Sequence, residues 1–101
     1  MECFLGEIRS FAFTQIPQGW APCDGRVLPV NQNRALFELL GNRFGGETNK
    51  TFALPDLRDS IPVHRGTSLG VGRSAKTSAT GAVPTVGVTY AIALTGEVPQ
   101  R

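Results

Sequence analysis

At 101 residues, the chain is one domain near the size at which a single hydrophobic core is only modestly stabilising. Twelve glycines and seven prolines are too many for a helical bundle and too scattered for collagen, while the apolar residues suffice for a packed core. Ten basic and eight acidic residues leave a net charge of +2 with no run of like sign, which excludes the clustered basic stripe of an electrostatic nucleic-acid binder.

The amino-terminal stretch lacks the basic segment and apolar core of a secretory signal, and no apolar run reaches the length of a membrane span. If the protein acts outside a cell, the expected routes are lysis, transport on a particle, an unusual exporter, or prior removal of a precursor segment. Residues 5–13 read as a first strand. Leu5, Phe11 and Phe13 share one face at period two, and Glu7 and Arg9 interrupt that face. Pro17 marks a turn. Asp24-Gly25 between two short apolar runs is a hairpin signal, because a type I′ turn needs positive φ at both central residues. Pro22 and Pro29 lack a backbone donor, so the flanking strands should be short or at an edge.

Asn31 or Asn33 is placed to cap a helix whose apolar side is Ala35, Leu36, Phe37, Leu39 and Leu40. Gly41 sits where a left-handed C-terminal cap is expected. Gly45-Gly46 opens a polar loop, and Thr51-Phe52-Ala53-Leu54 is extended, with Leu54 held so by Pro55. Asp56 is placed to bond the backbone of Arg58 in a local turn. Residues 66–82, rich in Gly, Ser and Thr, read as a loop or an edge segment. Val86, Val88, Tyr90, Ile92 and Leu94 alternate with small residues in a last strand that has one large face and one small face. The expected class is α+β, mainly β, as a single domain over residues 1–101: short strands, one short helix and a closing C-terminal strand.

Cys3 and Cys23 are too few for a disulfide framework or a four-ligand zinc site. Three states stay open: a bridge between them, bridges to neighbouring copies, or free thiols acting as small apolar residues.

Several sharper readings weaken on inspection. Gly70-Val71-Gly72-Arg73-Ser74-Ala75-Lys76-Thr77 approaches a phosphate-binding loop, but Ala75 replaces the second glycine and the strand and helix context is missing. His64 is the sole histidine. A triad would need it beside Ser60 or a cysteine, with Asp56 orienting it, and Pro62 intervenes. Trp20 could offer a sugar-stacking face, but its position beside Cys23 favours a core or subunit contact. Asp56 and Asp59 read as turn residues and partners for Arg58.

The joint pattern resembles the phage tail collar domain and the related microcystin-dependent proteins. It runs from Gly19-Trp20-Ala21-Pro22-Cys23-Asp24-Gly25-Arg26, through the short helix and Arg43-Phe44-Gly45-Gly46, to Phe52-Ala53-Leu54-Pro55-Asp56-Leu57-Arg58. Phe4-Leu5-Gly6-Glu7-Ile8-Arg9 at the start and Tyr90-Ala91-Ile92-Ala93-Leu94 near the end extend it. Two departures stand out. Asp59 occupies the position where the family usually has Gly, and the family's longer, often histidine-bearing segment is reduced here to residues 66–82. In tail fibres, receptor binding and any metal are associated with that segment.

The resemblance implies a non-enzymatic structural protein without a cofactor, self-assembling as a homo-oligomer: a trimer, a fibre or an extracellular filament. A tail-fibre or tail-like particle part for host attachment is the alternative, and a carbohydrate-binding module using Trp20 and Tyr90 is a second one. The expected partners are further copies of the chain, with a cell-surface glycan or receptor as a further candidate, and neither nucleic acid nor membrane insertion. The expected location is extracellular or on a virion or tail-like particle. Residues expected at subunit contacts or in structural roles are Phe4, Phe11, Trp20, Asp56, Arg58, Tyr90 and Ile92.

Overall fold

The computed structural model describes residues 3–66, 70–72 and 86–100. Among these residues five strands and one helix follow in the order β1 (Ile8–Phe11), β2 (Trp20–Pro22), β3 (Val27–Pro29), α1 (Arg34–Leu40), β4 (Thr51–Ala53) and β5 (Thr89–Ala93), with a 3-10 turn at Val30–Gln32 before α1. The architecture is α+β and mainly β. β5 is the centre of a three-stranded antiparallel sheet in the order β1-β5-β2, and β3 pairs with β4. The last strand therefore closes the first sheet by inserting between two strands from the start of the chain. Most of the 66–82 segment lies outside the described residues.

The alternation foreseen for the last strand organises the core. Ile92 is fully buried in a cluster with Leu5, Ala21, Cys23, Val30, Leu36, Phe52 and Leu54, and Tyr90 and Leu94 pack against it. Ala91 and Ala93 on the opposite face are equally buried, under Trp20. Small side chains there let the indole lie close to the sheet. Each fully buried large side chain contributes about 1.5–3 kcal/mol through removal from water. Phe52 is 0% exposed and packs its ring 5.6 Å from that of Phe37 on α1, which ties the helix to β4.

The helix boundaries follow a different chemistry from the one expected. Asn33 precedes α1, yet its side chain makes no cap bond. Its Nδ2 instead donates to the Pro29 carbonyl at 3.1 Å, because the 3-10 turn already brings its backbone N–H to Val30 O. Gly41 ends the helix at φ 60° and ψ −150°, which is not the left-handed helical cap expected but a region that is essentially glycine-only. Gly46 has φ +107°, and a Cβ there would lie 2.6 Å from both Thr51 O and Phe52 Cα. The double-glycine loop thus lets the chain pass directly over β4. Asn42 Nδ2 pins it by donating to Thr51 O at 2.8 Å.

The Asp24-Gly25 hairpin does not form. β2 and β3, the runs on either side, belong to different sheets. Gly25 has φ +79°, whereas Asp24 is not at positive φ. The Asp24 carboxylate accepts the Arg26 N–H at 3.2 Å, so the dipeptide forms a side-chain turn at which one strand changes partner. Before the turn, Cys23 N–H donates to Tyr90 O, continuing the β2–β5 register. After it, residues 23–30 run against residues 50–57 in one unbroken register. Leu57 donates to Cys23 O, Gly25 to Pro55 O, Leu54 to Arg26 O and Val30 to Lys50 O.

Phe52→Ala should lower stability by about 3–5 kcal/mol, read as a shift of the urea-unfolding midpoint. Val27→Ala, at a largely exposed position, should shift it by less than about 0.5 kcal/mol.

Candidate functional site: the strand corner and the open sheet edges

All three ion pairs among the described residues join an acid to an arginine two positions later: Glu7 with Arg9, Asp24 with Arg26, and Asp56 with Arg58. In extended chain this spacing puts both side chains on one face. Two of these pairs sit opposite each other at the corner, where Asp24 bridges Asp56. In each, the aspartate takes its own arginine twice over. Asp24 Oδ1 accepts Arg26 Nε and Oδ2 accepts Arg26 Nη2, both at 3.1 Å. Asp56 Oδ1 accepts Arg58 Nε at 2.9 Å, and Oδ2 accepts Arg58 Nη2 at 2.8 Å. Asp56 Oδ1 also accepts the Arg58 backbone N–H at 3.1 Å, the local turn expected from the sequence. The corner is thus a double clasp of fork-on-carboxylate pairs.

The electrostatics follow. The bonds from the Arg58 side chain and then its backbone N–H hold the Asp56 carboxyl down at about 2. Arg26 lowers the Asp24 carboxyl in the same way, and Arg9 followed by the Phe4 N–H lowers that of Glu7. Cys23, between the sheets, is pushed up to about 11 by burial and secondarily by the Asp24 charge. It is a packed thiol and not a nucleophile at neutral pH. Cys3 and Cys23 are both free and pack in different clusters. Cys3 is half-buried, with Sγ 3.5 Å from Thr95 O.

The residues expected at contacts divide into two groups. Ile92 and Trp20 are consumed by the core, Trp20 at 8% exposure. The Trp20 indole meets Phe11 edge-on at 5.6 Å and carries the Arg9 guanidinium 5.5 Å from its centre, a cation-π arrangement. This explains why Glu7 and Arg9 interrupt the first apolar face: the pair lies over the indole side of the sheet. Phe11 and Tyr90 are half-buried. Phe4, Asp56 and Arg58 remain exposed, and Phe4 bridges Glu97 in parallel.

Beyond these, Phe13, Val86 and Val88 expose much of their surface near the start of β5, Val86 at 87%. Val88 separates two shallow grooves. One, of about 170 Å³, is lined by Pro22, Cys23, Leu57 and Tyr90; the other, of about 260 Å³, by Phe11 and Phe13. The second clasp, Asp24 with Arg26, was legible as a repeat of the Asp-x-Arg spacing. The exposure of Val86 and Val88 was not, because alternation alone does not say where the neighbouring strands stop.

No constellation for catalysis forms among the described residues. Ser60 Oγ donates to Arg58 O, Asp56 is engaged by Arg58, and His64 is exposed with no bond to either. The same residues contain no group of three or more His, Cys, Asp or Glu that could hold a metal, and no helix long and apolar enough to cross a membrane. The phosphate-loop near miss falls largely outside the described residues.

The sequence profile of the phage tail collar domain matches residues 6–62. That span holds β1 to β4, α1 and both corner clasps, and the chain belongs to the phage tail collar domain family. Membership gives it a structural, tail-associated role. No curated protein and no solved structure matches the chain. Asp59 stands where the resemblance leads one to expect glycine, and it adopts φ 55°. Positive φ is a conformation that aspartate tolerates better than most residues.

Asp56 is held low in the folded chain and returns to an ordinary carboxyl, near 3.8, when the chain unfolds. Its clasp therefore contributes fully above the ordinary value and is lost as pH falls through about 2. A carbon-detected NMR titration should place the Asp56 midpoint near 2 in the wild type and move it towards 3.8 in Arg58→Ala.

Proposed function

We propose that the chain is a non-enzymatic structural subunit that self-assembles into a homo-oligomeric fibre or extracellular filament. Membership of the tail collar family across residues 6–62 carries this reading. Two features of the fold support it. Among the described residues β1 and β2 are the outer strands of the sheet around β5, and open strand edges pair readily with another chain. Large apolar side chains are exposed at both ends of that sheet, Phe13 and Val88 beyond one end and Phe4 and Val98 beyond the other. The alternative, a part of a tail-like particle that attaches to a host surface, draws on the same membership. Self-assembly is favoured because the segment associated with receptor binding is short in this chain. A carbohydrate module would need a ring open to a sugar face, and Trp20 is buried.

Static light scattering with negative-stain electron microscopy tests the proposal. Regular fibres or discrete oligomers are expected. A stable monomer at high concentration would overturn self-assembly.

A further inference from the structure

One of the three acid–arginine pairs lies on a strand whose outer edge is open among the described residues. There β1 pairs with β5 on one side alone. The Glu7 carbonyl accepts Ala93 N–H at 2.9 Å, and in an antiparallel pair this orientation repeats every second residue. Glu7, Arg9 and Phe11 therefore turn their backbone groups towards β5, while Ile8 and Ser10 turn their N–H and C=O groups away from it. Ser10 is exposed and Ile8 is 41% exposed. No proline interrupts β1, so the edge can donate and accept along its length.

We propose that this edge binds β1 of a second copy of the chain, antiparallel, with Ile8 opposite Ile8 across a two-fold axis. The contact rests on the self-assembly reading and specifies one of its interfaces; a two-fold contact closes on a pair, so a fibre also needs a second interface. Charge selects the register. Three alignments place outward-turned residues opposite one another. With Ile8 facing Ile8, Glu7 of each copy faces Arg9 of the other, giving two opposite-charge pairs. With Ile8 facing Ser10, Arg9 faces Arg9. With Ser10 facing Ser10, Arg9 faces Phe11 and Glu7 faces Phe13. Opposite charges directly across a strand pair stabilise it and like charges destabilise it, so the first alignment is preferred. The two Ile8 residues exchange both backbone hydrogen bonds, and their side chains cover each other. The same patch meets itself, as a closed two-fold contact requires, and the two sheets join as one of six strands in the order β2-β5-β1-β1-β5-β2.

Site-specific cross-linking tests the register. Ile8→Cys and Ser10→Cys are made in a Cys3→Ser background, which leaves the buried Cys23 as the remaining native thiol, and are treated with a short bis-maleimide. In the proposed alignment the two position-8 Cα atoms lie about 5.5 Å apart, and the two position-10 atoms about 14 Å apart. Ile8→Cys should form a covalent dimer at least about tenfold faster than Ser10→Cys. Arg9→Glu should dissociate the contact, and the swap Glu7→Arg with Arg9→Glu should restore it, because the opposed pairs return with their signs exchanged. Light scattering of the parent chain separates the two levels of the proposal. A monomeric parent overturns both this contact and self-assembly. An oligomeric parent whose Ile8→Cys variant cross-links no faster than Ser10→Cys overturns this contact and leaves self-assembly standing.

Discussion

Cys23 donates its N–H to Tyr90 in one sheet while its carbonyl accepts Leu57 N–H in the other. The rest of the structure depends on this double engagement. Both sheets are short, and strands of three to five residues bury little surface and form few bonds alone. Because one strand serves both, the inner faces of the two sheets contribute to a single cluster around Phe52, Leu36, Leu54 and Ile92. The clasps at Asp24 and Asp56 guard the place where the strand turns from one partner to the other. Each satisfies the N–H two residues ahead and keeps a guanidinium in a fixed plane. Their exposed charges add little as isolated ion pairs. Their effect is on geometry, at the one point where a residue of slack would uncouple the sheets.

The same corner explains why the collar motif reads as it does. Cys23, Asp24, Gly25 and Arg26 on one limb and Leu54, Pro55, Asp56 and Leu57 on the other are distant in sequence and adjacent in space. The helix and double-glycine loop between them return the chain so that residue 50 meets residue 30 and residue 57 meets residue 23. The family match ends at residue 62, shortly after the second clasp. β5 then supplies the central strand of the first sheet from near the other end of the chain.

Much of this was legible in the sequence. The large–small alternation of Tyr90, Ala91, Ile92, Ala93 and Leu94 foretold a strand with one large and one small face, and the structure buries both. The run from Leu36 to Leu40 foretold the helix, and Gly41 its end. Asp56 foretold its own turn with Arg58. The hairpin reading of Asp24-Gly25 failed because a dipeptide reports a local turn and not which strands the flanking runs will join; that choice was made by β4 and β5, far away in the chain. The capping role of Asn33 failed because a preceding 3-10 turn had already used the local geometry. Trp20 was placed in the core or at a contact, and the small faces of Ala91 and Ala93 decided for the core. That β1 is an edge strand among the described residues follows from the order of the whole sheet, which alternation within one run does not report.

The central claim is that the two sheets form one cooperative unit joined at Cys23. Native-state hydrogen exchange tests it most directly, residue by residue. The account predicts that the amides of Cys23, Leu54, Leu57 and Ala93 exchange with one common opening free energy, equal to that of global unfolding. If Leu54 and Leu57 exchanged through a separate, lower-energy opening while Ala93 stayed protected, the sheets would be independent and the account would be contradicted.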